Sequence, residues 1–362
     1  METVYQGEIR LNRYLDKEGT PLQAIPQWAC EPGWLTDCYR NMVLARALDS
    51  KAIALQRTGQ MGTYASLLGA EAIDVVCGMV MRQEDVLIPY YRNHASQMLR
   101  GMKMEEVMYY WGGDERGNAA AGAGEDFPNC VPIATQSLHA CGVATAIKAR
   151  GEKRVAVTMC GDGATSKGDF LEALNVAGAW QLPVVFIINN NQWAISVPRA
   201  IQCGAPTLAQ KAIGAGIRGE QVDGNDAIAM REALQLALDR ARDGKGPSVI
   251  EALSYRLSDH TTADDATRYR ENAELKQAWE VEPIKRLRNY LHNNGWWDET
   301  QEQSWSQEVN QMVQRAAENY LASDTQPVET TFDYLYAELP DSLREQRDWA
   351  QVRAMQGGSH DE

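Results

Sequence analysis

The sequence predicts an α/β fold, a doubly wound parallel sheet flanked by helices. Three observations carry it: apolar runs of strand length alternate with amphipathic stretches from about residue 85 to 253, two of those runs end in polar clusters, and one βαβ unit is complete. In that unit Val155–Cys160 is an apolar run and Gly161-Asp162-Gly163 a turn. An amphipathic stretch follows, and Val184–Ile188 empties into Asn189-Asn190-Asn191. Parallel strands need a crossover, so the turn and the amides meet at the same sheet edge, where open α/β sheets bind ligands.

Each element has its own signal. Residues 1–34 are irregular and proline-bearing and read as an arm lying over something. Leu35–Arg57 has helical periodicity and stops near Gly59, and Gly69–Met81 reads as a second helix. Asp85–Tyr90 is a short strand leading into Tyr91-Arg92-Asn93-His94, and Lys103–Trp111 is helical. Gly112–Asn129, rich in Gly and Ala without periodicity, reads as mobile. Leu138–Arg150 is a helix before the βαβ unit; a helix at Leu208–Ala215, a strand at Glu220–Val222, a helix at Ala227–Asp243 and a strand at Pro247–Leu253 follow it. Tyr255–Arg270 is a polar loop just past a strand end. Ala273–Asn293 and Glu299–Ala322 read as helices around Trp296-Trp297, and the chain after Pro340 as a charged, frayed tail. The domain reading is an arm (1–34), an α/β domain (35–272), helices packed on that same domain (273–340) and a tail (341–362).

Composition narrows the function. With 362 residues, 44% of them hydrophobic, the chain can bury a large core. It has no apolar stretch of membrane-spanning length and no basic, apolar start of a secretory signal, so the expectation is a cytoplasmic protein. Thirty-five basic against 49 acidic residues give a net charge of −14, which argues against nucleic acid or an anionic membrane as partner. The seven cysteines form no CxxC pair, so neither a zinc site nor a disulfide framework is indicated.

The chemistry lies in the βαβ edge. Asp162 is an oxygen donor on a tight turn whose glycines admit a phosphate, and the amide oxygen of Asn190 or Asn191 can complete a hard-cation site suited to Mg²⁺ on a diphosphate. A lone GDG or a lone Asn run is usually only a turn or a polar loop. Their spacing of 26 residues, Ala164 to Asn189, decides. A nicotinamide site is opposed by the missing third glycine in Gly161-Asp162-Gly163-Ala164-Thr165-Ser166, and by Asp162, which repels a bare pyrophosphate.

The unit resembles the GDG…NN thiamine-diphosphate signature, and the chain from about Leu35 to Leu339 resembles the α subunit of the thiamine-diphosphate-dependent 2-oxo acid dehydrogenases, the first component of the pyruvate and branched-chain complexes. The resemblance rests on Thr63-Tyr64 with Gly69-Ala70-Glu71-Ala72, on Tyr91-Arg92, on the GDG…NN unit, on Gln221-Val222-Asp223-Gly224 and on the His260 loop. It implies the diphosphate-binding half of the thiamine-diphosphate fold. Tyr91 and Arg92 would bind the diphosphate; Asp162, the Asn191 side chain and the Trp193 carbonyl would hold Mg²⁺; the Gly163 and Ala164 amides would face phosphate oxygens. Backbone near Val131 and Ile133 would meet the aminopyrimidine. His260 would reach over the thiazolium to bind substrate carboxylate, orient the acyl acceptor or move a proton near neutral pH.

The resemblance also implies partners: a β subunit supplying the pyrimidine half and its activating Glu, in an α2β2 tetramer, and a lipoyl-bearing acyltransferase that takes the acyl group. A histidine usual in the family between the Lys103–Trp111 helix and Ile133 is missing here, and His94 or His139 are the candidates to replace it. The expected substrate is a small 2-oxo acid, with pyruvate preferred; a branched-chain 2-oxo acid or acetoin enzyme is the alternative, as is a non-catalytic assembly subunit.

Overall fold

The structure is a computed structural model that describes residues 1–362 except 5, 120, 121, 334 and 358–362. Ala120 and Ala121 of the histidine-free segment and the last residues of the tail therefore lie outside the described residues. The chain divides into two compact units, 1–320 and 321–362, a boundary inside the segment that the sequence reading keeps together.

In chain order the first unit contains β1 (Leu11–Asn12), α1 (Pro32–Arg57), α2 (Glu71–Val80), β2 (Val86–Ile88), α3 (His94–Leu99), α4 (Met104–Gly112), α5 (Thr135–Ala149), β3 (Ala156–Gly161), α6 (Gly168–Ala179) and β4 (Val184–Asn190). There follow β5 (Trp193–Ala194), β6 (Val197–Pro198), α7 (Arg199–Gln202), α8 (Lys211–Gly214), β7 (Arg218–Asp223), α9 (Ala227–Arg242), β8 (Ser248–Leu253), α10 (Asn272–Glu280), α11 (Pro283–Asn293) and α12 (Glu299–Leu321). The main sheet has the order β1-β7-β8-β4-β3-β2 and every pairing in it is parallel. The predicted α/β sheet is thus present.

Helices cover both faces, which is why the inner strands read as continuous apolar runs. Alternate residues of β3 feed opposite cores: Val157 and Met159 pack with α2, α9 and α11, while Ala156 and Cys160 pack with α5 and α6. A third cluster joins the end of α1 to α4 and α12 through Leu55, Met108 and Val313.

Several sequence expectations are corrected. The helix expected over Ala273–Asn293 is two, because Pro283 has no N–H to continue the first and Glu282 accepts from Ile284 N at 3.1 Å and Lys285 N at 2.6 Å to start the second. The Leu208–Ala215 helix shrinks to α8, and the six-residue α3 directly after Tyr91-Arg92-Asn93 was not foreseen. The segment 112–129 is anchored where it was expected to be mobile: Gly122 packs backbone to backbone on Gly101, and Asp126 pairs with the buried Arg100 at 2.5 Å. The arm is part of the sheet edge through β1, and the Asp226 carboxylate accepts from Tyr14 N and Leu15 N at 2.7 Å each.

The second unit holds α13 (Thr330–Asp333) and α14 (Asp341–Gly357). The tail expected to fray is helical. None of its described residues is buried.

Candidate functional site

The site is built on the carboxyl ends of β3, β4 and β8. β3 ends in Gly161, and the next residue, Asp162, 2% exposed, opens a 3₁₀ turn. Oδ2 accepts from Gln202 Nε2 at 2.9 Å. Burial pushes the Asp162 carboxyl up to about 6, against the Gln202 hydrogen bond and the charges of Arg256 and Arg199. Gly163 is obligatory on packing grounds, because a Cβ there would meet the Ala194 Cβ at 2.5 Å. The turn is thereby closed against β5, which brings Asp162 and the Trp193 segment to one place.

The amide run divides its labour. Asn189 donates to Tyr90 Oη at 3.1 Å and accepts from Ser254 Oγ at 2.6 Å, and Asn190 donates to Glu251 at 2.6 Å and accepts from Gln192 at 3.0 Å. Both are spent on sewing the sheet edge together. The Asn191 Oδ1 makes a local contact with Trp193 N at 3.3 Å. Left-handed backbone at Gln192 (φ 74°) and Ile195 (φ 53°) brackets β5, strain of a kind that clusters at binding sites.

The cationic half comes from two loops. Arg92, 4% exposed, donates from Nη1 to the Ser66 carbonyl at 2.5 Å, and from Nη2 to both the Nδ1 (3.0 Å) and the main-chain carbonyl of His260. Its guanidinium also stands over the Tyr91 ring at 5.3 Å, and Tyr91 meets the His260 ring edge to face at 6.3 Å. His260 N donates to Asp264 at 2.9 Å, which fixes the loop. Burial first, and then the charges of Arg92 and Arg256, push the His260 imidazole down to about 3. An imidazole held neutral in the cofactor-free chain can bind and orient.

Arg256 connects the halves and was not singled out from sequence. Its backbone N donates to the Asn191 carbonyl at 3.1 Å, and its guanidinium reaches the Trp193 carbonyl at 3.4 Å, the Ile195 carbonyl at 2.9 Å, Tyr269 Oη at 2.8 Å and His260 Nδ1 at 3.5 Å. Gln202 was missed as well. Nothing in its sequence surroundings marks it, since only the fold of α7 carries it to Asp162.

The remaining candidates make none of these contacts, although Cys130, just before Val131, is bridged to Tyr90 at the same sheet edge. His94 is fully buried between Tyr64, stacked at 5.3 Å, and Trp111, with Nε2 on the Ala65 carbonyl at 3.0 Å. Burial holds it down to about 4, so it has neither the exposure nor the charge to replace a substrate-facing histidine. His139 is exposed near Phe127. Val131 and Ile133 are 55% and 43% exposed, just before α5.

A carboxylate, an amide oxygen and a main-chain carbonyl are a hard-oxygen set of the kind a divalent cation takes, and a cation would relieve the burial of Asp162. Beside them a buried guanidinium and the Gly163-Ala164 amides suit an anionic phosphate. The residues present therefore fit a metal-bound diphosphate.

The family described as "Dehydrogenase E1 component" matches residues 39–329. Among curated proteins, the pyruvate dehydrogenase E1 component subunit alpha of Mycoplasma genitalium is 37% identical over 93% of this chain and 94% of its own length. The 3-methyl-2-oxobutanoate dehydrogenase subunit alpha of Mycobacterium tuberculosis is 40% identical over 89% and 86%, and the pyruvate dehydrogenase E1 component subunit alpha of Staphylococcus aureus 36% over 94% and 92%. The chain belongs to the dehydrogenase E1 component family as an α subunit of a 2-oxo acid dehydrogenase, and that membership implies thiamine diphosphate as cofactor and a β-subunit partner.

Proposed function

We propose that this chain, assembled with its β subunit as α2β2, takes part in decarboxylating a small 2-oxo acid, pyruvate first, and in passing the acyl group to a lipoyl-bearing acyltransferase. The observation that carries the reading is the Arg92–His260–Arg256 group, which joins a phosphate-binding arginine to the loop of Asn191 and Trp193. Asp162, the Asn191 side chain and the Trp193 carbonyl would hold Mg²⁺; Arg92, Tyr91 and the amides of Gly163 and Ala164 would hold the diphosphate. Bound there, thiamine diphosphate supplies the electron sink for loss of CO₂.

The chain's own residues bind and orient. Arg92 would neutralise phosphate charge and fixes the His260 ring through Nδ1, leaving the ring proton on Nε2, where it would meet the substrate; Arg256 holds the Asn191–Ile195 turn against the His260 loop. The relatives named for pyruvate dehydrogenase support pyruvate. A branched 2-oxo acid is the second reading, favoured by the 40% identity to the subunit named for 3-methyl-2-oxobutanoate.

The test is co-expression with the β subunit, followed by reduction of an artificial electron acceptor with pyruvate or branched 2-oxo acids, in the presence of Mg²⁺ and thiamine diphosphate. Turnover should be largest with pyruvate. A complex that binds the cofactor yet turns over no 2-oxo acid would overturn the assignment.

A further inference from the structure

Asp49 lies on α1, remote in sequence from every group above, and is 2% exposed. Its carboxylate gathers three neutral donors from a single loop: Tyr64 Oη at 2.6 Å, the Ser66 hydroxyl, and Leu67 N at 3.2 Å. A buried carboxylate is costly, and a position that needed only volume would be better served by an apolar side chain. What the carboxylate secures is the shape of the 64–68 loop.

That loop holds both functional groups. The Ser66 carbonyl receives Arg92 Nη1 at 2.5 Å. Tyr64 is paired twice with Thr262, its N donating to Oγ1 at 3.0 Å and its carbonyl accepting from Thr262 N at 2.9 Å, and the Leu68 carbonyl accepts from Leu257 N at 3.2 Å. The His260 loop is thus stitched on both sides of His260 to the stretch that Asp49 clamps, and Arg92 bridges the two from the other side.

We infer that Asp49 is a positioning residue: through the Tyr64–Ser66 loop it sets the Arg92 guanidinium and the His260 loop in the geometry that receives the cofactor's diphosphate. The inference rests on the reading of Arg92 as a diphosphate ligand. Asp49 touches no reacting atom, so its effect passes through Arg92.

The test is a double-mutant cycle on the α–β complex, reading thiamine diphosphate affinity by calorimetry at saturating Mg²⁺. Asp49→Asn should weaken binding about tenfold in the parent, the scale of a charge-assisted hydrogen bond put out of line. In an Arg92→Ala background it should weaken binding less than twofold, because residues that act as a unit are not additive. Hydrogen exchange at 257–262 in the cofactor-free complex should rise with Asp49→Asn. Equal factors in both backgrounds would overturn the inference, and so would an unchanged affinity with only a lowered Tm. If Arg92→Ala itself left affinity unchanged, the diphosphate reading would fail, while unaltered exchange at 257–262 would sink the positioning role by itself. Should Asp49→Asn not fold, Tyr64→Phe and Ser66→Ala each remove one donor and carry the same comparison.

Discussion

Nη2 of Arg92 stands 3.0 Å from Nδ1 of His260 and also donates to the same residue's main-chain carbonyl. A guanidinium only donates, so Nδ1 accepts and the ring proton sits on Nε2. His260 then offers a fixed N–H donor. Such a donor matters most where the incoming acyl acceptor must be oriented. His260→Ala should lower lipoyl-dependent turnover by about 10²-fold, as loss of one preorganised donor does, with a smaller loss when an artificial acceptor bypasses that step. Equal losses in the two assays would place His260 in cofactor or substrate binding instead.

The depressed imidazole gives a signed pH effect. His260 has a folded pKa of about 3, below its ordinary value of 6.5, so between these values the unfolded chain holds more protons and His260 subtracts stability as pH falls. Asp49, Asp74 and Asp162, raised by burial to about 6, act oppositely: their contribution is full below 3.8 and is lost as pH rises through 6. A comparison that cancels the carboxylates is needed. The Tm of His260→Gln minus that of the parent should therefore be more positive at pH 5 than at pH 7. A difference that does not change with pH would mean that His260 is not held neutral.

Asp162 should compete with protons for its cation. With the carboxyl pushed up to about 6 before a cation binds, Mg²⁺-dependent thiamine diphosphate affinity should rise with pH to about 6 and level off above it. Asp162→Ala removes a charged ligand from a site that must neutralise a diphosphate, so affinity should collapse while the fold survives. Asp162→Asn should bind weakly and without the pH dependence. Calorimetry from pH 5.5 to 7.5 reads all three, and parent-like binding by Asp162→Ala would remove Asp162 from the metal site.

Arg100 and Asp126 form a bidentate pair, 2.5 and 2.9 Å, whose side chains are 3% and 4% exposed, and Asp126 also accepts from Leu87 N at 2.8 Å. Removing the guanidinium strands a buried carboxylate, at a cost of about 3–5 kcal/mol. Arg100→Met should show that loss in urea unfolding and should open the 112–129 segment to protease. A loss near 1 kcal/mol would mean that the segment is held elsewhere.

The parallel sheet and the strand ends that carry Asp162 and Asn191 were legible because their signals are local: apolar runs at strand length, a GDG turn and an amide run at a βαβ spacing. What was illegible is what the fold assembles from afar. Gln202 reaches Asp162 only through the turn of β5, β6 and α7; Arg256 serves both loops only because β8 ends beside β4. His94 shows the converse error, since it was offered to replace the histidine missing from the 112–129 segment, and aromatic packing makes it a core residue. The Pro283 break was readable and was overridden by the apolar periodicity around it.

Phe127, Val131, Ile133 and Leu138 are 37%, 55%, 43% and 37% exposed, four large apolar side chains within twelve residues on either side of the start of α5. Large apolar side chains left exposed this close together in sequence are candidates for burial under another protein. The covering partner that family membership implies is the β subunit. The isolated chain should therefore show no 2-oxo acid decarboxylation at saturating Mg²⁺ and thiamine diphosphate, and adding the β subunit should restore it. Val131→Asp with Ile133→Asp should weaken assembly at least tenfold by sedimentation, since two charges would be buried without partners, while leaving the Tm of the isolated chain within a few degrees of the parent. Turnover by the pure chain alone, or unaltered assembly of the double variant, would show that the pyrimidine half is supplied elsewhere than at this face.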